Sequence, residues 1–86
     1  MIRIRTILIA SPAHLTRSDE RALTRDGYRR GEYGWLLPME EGWPIPEKVP
    51  ASAGLAGAIL YAHLHGCAYL LLDEPGSILP GVPIAE

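Results

Sequence analysis

With 86 residues, 48 % of them apolar and 21 % charged, the chain is too apolar for intrinsic disorder and too short to divide into two cores. Its formal charge of −2 argues against a general nucleic-acid-binding domain, and a single cysteine rules out an internal disulfide. A small fold without that staple is expected in a reducing compartment, and the start Met1-Ile2-Arg3-Ile4-Arg5 lacks the form of a signal peptide, so one compact cytoplasmic domain over 1–86 is expected.

Residues 2–10 alternate with a period of two and become apolar on both faces towards Ala10, which predicts a first strand. Pro12 interrupts it. Thr16 is a good N-cap, Asp19 and Glu20 suit a first helical turn, and Gly27 closes a short surface helix over about 17–26. Arg29 to Glu32 reads as a polar connection, and Tyr33 to Leu37 as a second strand ended by Pro38. Residues 40–50 contain Gly42, Pro44, Pro46 and Pro50 and are expected to form an irregular loop.

Ser52 can cap a second helix over 53–65, with Gly66 just past its end. That helix carries no charged residue, so it should be buried on more than one side, by a second copy of the chain, a partner or the proline-rich loop. Cys67 to Leu72 is a continuous apolar run, the pattern of a central strand, and the helix before it is expected to make a right-handed crossover between parallel strands. Although residues 49–72 hold no charge, their Pro, Gly, Ser and His content argues against a membrane span. Asp73 to Gly76 is a turn, and residues 77–84 offer one more short edge strand. The expected fold is α/β (α+β), a three- to four-stranded mixed sheet with two helices in the order β-α-β-α-β.

Charge divides unevenly along the chain. Seven arginines against three acids give residues 1–30 a charge of +4, while Lys48 against seven acids gives residues 31–86 a charge of −6. Such polarity favours oriented docking on a charged partner. Arg17, Arg21 and Arg25 recur every four residues as a basic ridge on the first helix, more simply a solvated face than a nucleic-acid contact.

Glu40, Glu41 and Glu47 with Trp43 between them combine acids and an aromatic anchor on one loop, the composition of a protein-binding surface that answers a basic partner. Asp73 and Glu74 follow the expected central strand, where α/β folds often place ligand sites. His14, His63, His65 and Cys67 have the ligand types of a zinc site, but residues two apart on a helix diverge by about 200°, so His63 and His65 cannot chelate together within it. Cys67 opens an apolar strand and reads as a small buried hydrophobe rather than a nucleophile. No phosphate loop, dinucleotide fingerprint or nucleophile elbow is present, and no metal or cofactor is expected.

Four pieces together resemble a family of small, uncharacterised bacterial and mobile-element proteins: Ala-His-Leu-Thr at 13–16, Tyr-Gly-Trp at 33–35, Gly-Cys-x-Tyr-Leu-x-Leu-Asp at 66–73 and Leu-Pro-Gly at 79–81. The absence of Asn, Gln and Phe fits such a genomic setting. Val82-Pro83-Ile84 stand where that pattern would place an aromatic. The resemblance implies a compact α/β fold and no catalytic residue. It leads to the expectation of a non-enzymatic protein that binds a protein or ribonucleoprotein complex, with no direct nucleic-acid or membrane contact, as an inhibitor of host defence of the anti-CRISPR kind. Glu40, Glu41, Trp43, Glu47, Asp73 and Glu74 are its expected contact residues. The alternatives are a small-ligand protein or enzyme using His14 with Asp73, and a homodimer through helix 53–65.

Overall fold

A computed structural model describes residues 4–31, 34–39, 52–74 and 76–85. Along the chain lie β1 (Ile7–Ala10), a 3₁₀ turn (Pro12–His14), α1 (Arg17–Arg25), β2 (Arg29–Arg30), β3 (Gly34–Pro38), α2 (Ala53–Leu64) and β4 (Tyr69–Leu72). The class is as expected, a mixed sheet with two helices, but the order gains a strand. Arg29 and Arg30 pair with Trp35 and Gly34 in an antiparallel ladder, where the sequence reading had only a polar connection. Two exposed arginines carry no period-two apolar signal, so nothing in their composition announced a strand.

The sheet runs β1-β4-β3-β2. β4 is central as predicted, yet its partners differ from the expected crossover: it lies parallel to β1 and antiparallel to β3. The parallel pair therefore joins the start of the chain to its late strand. The predicted edge strand after the turn reduces to a single bridge between Ala10 and Ser77.

Strand alternation sorts the sheet residues into two sets. Ala10, Trp35, Leu37, Leu70 and Leu72 are buried with Leu23 of α1 and Leu55, Ala58, Ile59 and Ala62 of α2 in one core. Cys67 is buried in that core as a small hydrophobe, but it precedes β4, which starts at Tyr69 and not at Cys67 as expected. Each large side chain so buried contributes about 1.5–3 kcal/mol.

α1 starts with a capping box: Thr16 Oγ1 accepts the Asp19 amide, and Asp19 Oδ2 accepts the Thr16 amide. The Asp19 carboxylate also accepts the backbone N–H of Ser52 at 3.0 Å and its hydroxyl hydrogen, while Ser52 Oγ caps α2 by accepting from Leu55 N. One buried carboxylate thus sits at the positive ends of both helices. At the other end of α2, Gly66 takes the left-handed conformation (φ +66°) and the chain turns into β4.

The uncharged α2 finds its second cover in a segment the sequence reading had not considered for the task. Residues 79–83 lie along the helix, with Val82 against Gly57 and the Pro83 carbonyl beside Gly54. A Cβ at position 54 would overlap the His14 carbonyl oxygen, so only glycine permits this approach. Leu60 and Leu64 remain 52 % and 76 % exposed.

Candidate functional site

Of the residues predicted to bind a partner, Glu40, Glu41, Trp43 and Glu47 lie outside the described residues. Asp73 and Glu74 follow β4, and the chain turns there: Asp73 Oδ1 accepts the Glu74 amide at 2.8 Å and the Asp73 carbonyl accepts the Gly76 amide. These neighbours serve different surfaces. Asp73 reaches beside Gly34, whereas Glu74 is exposed and lines a cleft on the helix side.

Asp73 shares the sheet face that, among the described residues, no helix covers. The register places Ile7 beside Tyr69 and Ile9 beside Leu71 across β1 and β4, and Leu36 and Pro38 beside the same two residues across β3. Six apolar positions therefore form one continuous face. Ile7 is 50 % exposed and Ile9 47 %, and Asp73 stands at one end of the patch. Sequence reasoning passed over this face, although its signal was present: three strands are apolar on both sides, and two helices can cover only one.

His14 is wholly buried and fully engaged. Its Nδ1 donates to the Pro83 carbonyl at 2.8 Å, and its Nε2 accepts the Leu79 amide at 3.0 Å. Those partners fix the neutral ring with the proton on Nδ1. Neither nitrogen is left for acid–base work, so the imidazole acts as a clasp for the C-terminal tail. Among the described residues no group of three or more His, Cys, Asp or Glu side chains comes together to hold a metal, and no helix is long and apolar enough to cross a membrane.

An open cleft of about 760 Å³ lies at the carboxyl ends of the parallel strands β1 and β4. Pro12 and Glu74 form one side, and Glu20, Arg21, Thr24 and Arg25 of α1 the other. Trp35 forms the floor, its indole N–H donating to Thr24 Oγ1 at 3.1 Å. Because Arg29 pairs directly with Trp35, both side chains leave the same sheet face, and the guanidinium lies 5.8 Å from the ring centre.

A family model described as "Family of unknown function (DUF5983) C-terminal domain" matches residues 7–86, from the first residue of β1 onward. The chain belongs to that family. No curated protein and no solved structure matches it. Membership in DUF5983 agrees with the coarse part of the sequence resemblance, an uncharacterised family; its name states no activity, ligand or partner.

Proposed function

We propose that this DUF5983 domain is a non-enzymatic, cytoplasmic binding module whose partner is a protein or the protein surface of a ribonucleoprotein. The observation that carries the reading is the sheet face of Ile7, Ile9, Leu36, Pro38, Tyr69 and Leu71, on which no helix packs among the described residues and on which Ile7 and Ile9 are half exposed. An apolar centre with charge at its margin has the anatomy of a protein interface. Asp73 lies at one end of that face, and Glu40, Glu41, Trp43 and Glu47 follow Pro38 in the sequence, outside the described residues. The partner that fits is thus apolar at its centre and basic at its rim. The sequence resemblance adds a setting among mobile elements, and with it inhibition of a host defence complex such as a CRISPR effector.

What supports binding over catalysis is the engagement of both His14 nitrogens, which weakens the rival that pairs His14 with Asp73. The homodimer through helix 53–65 retains Leu60 and Leu64 as its contact, and light scattering at high concentration tests it directly.

The test compares the wild-type chain with an Ile7→Glu/Ile9→Glu variant and a Glu40→Lys/Glu41→Lys variant, each captured with a purified CRISPR effector complex. Both isoleucines are half exposed on an edge strand, so the first variant should fold. Binding by the wild type that falls at least about tenfold in each variant supports the reading. Equal capture by all three would overturn the assigned surface, and no capture of the wild type would remove the defence-complex partner.

A further inference from the structure

The cleft at the carboxyl ends of β1 and β4 plays no part in the docking surface proposed above. It collects three guanidinium groups, Arg21, Arg25 and Arg29, in a chain whose net charge is −2. Arg21 and Arg25 are four residues apart on α1 and so lie on one side of the helix. Arg29 enters from β2 across the floor. Glu20 and Glu74 line the same cleft, so its guanidinium groups exceed its carboxylates by one, and the exposed pair of Arg25 with Asp26 at 3.3 Å is of the weak surface kind that an entering phosphate can replace.

The remaining lining narrows the ligand. Thr24 is occupied, because its hydroxyl donates to the Glu20 carbonyl at 2.8 Å and accepts from the Trp35 indole. Arg29 over the nearly buried Trp35 offers a flat, cationic surface on which a planar ring can stack. Glu74 also lines the cleft, and its carboxylate is an acceptor for hydroxyl or amine groups of a ligand. The volume suits a small molecule rather than a lone ion. Its place, beyond the carboxyl ends of adjacent parallel strands, is where α/β sheets commonly hold ligands.

We infer that this cleft is a nucleoside monophosphate site. Arg21 and Arg25 hold the phosphate, Arg29 stacks on the base, and Glu74 accepts from the hydroxyl or amino groups of the ligand.

Calorimetric titration of the intact chain with AMP, GMP, CMP and UMP in turn, and with inorganic phosphate and adenosine, tests the assignment. At least one nucleotide should bind about tenfold or more tightly than phosphate or adenosine, since neither fragment meets both halves of the site. Arg21→Ala and Arg25→Ala, both on the exposed side of α1, should each weaken that nucleotide about five- to tenfold while thermal stability stays unchanged. The Ile7→Glu/Ile9→Glu variant should bind it as the wild type does, which separates this site from the docking face. Absence of heat with all four nucleotides up to about 10 mM, phosphate binding as tightly as any of them, or affinity indifferent to both arginines would each overturn the inference.

Discussion

His14 joins parts of the chain that lie 65 and 69 positions away, through the Leu79 amide and the Pro83 carbonyl. Replacing it by alanine leaves both groups without partners and opens a cavity, which should cost about 3 kcal/mol in urea unfolding with an unchanged m-value. A loss below about 1 kcal/mol would mean that the tail is held by other contacts. Tyr28 offers a pH-dependent signature. Burial, and secondarily the Asp26 carboxylate, hold its phenol above the ordinary value of 10.0. The folded protein then retains this proton after the unfolded chain has begun to release it. Stability from this source is complete below pH 10 and declines as the pH climbs towards the raised value. Wild type should accordingly lose stability against Tyr28→Phe above that pH, as read from paired denaturation curves.

The helices were the most legible elements. Thr16 and Ser52 marked both starts, and Gly66 marked the end of α2, because capping chemistry is local and is written in a few adjacent residues. Strand β4 was equally plain as an apolar run, but its direction was not: a connection long enough to hold a helix can return a strand either way, and the antiparallel pairing with β3 is settled in three dimensions. The basic ridge of α1 could be read from spacing alone. Its meeting with Arg29 and Trp35 could not, since that requires the β2–β3 register. The Asp19 link from α1 to α2 also escaped, because Ser52 lies 33 positions away. Asp19→Ala removes an acceptor used by three donors and should lower stability by about 2–3 kcal/mol, or roughly 8–20 °C in melting temperature. A shift of only a degree or two would show that these helix starts are held independently.

On the scale of the whole molecule, the two faces of the sheet divide the work. One side, under the helices, holds the core and, at its margin, the arginine cleft; the other is apolar and carries no helix among the described residues. A nucleotide and a protein partner could therefore be bound at once. The same sheet has a consequence for how the chain reaches its native state. β4 lies between β1 and β3, yet it comes after both of them in the sequence, and without it those two strands share no hydrogen bond. Early helices and the β2–β3 hairpin can form from nearby residues, but the core has no floor until the late strand inserts between two waiting edges. Such long-range closure makes folding slow for a chain of this size, and an incomplete nascent chain would expose the strand edges on which aggregation begins.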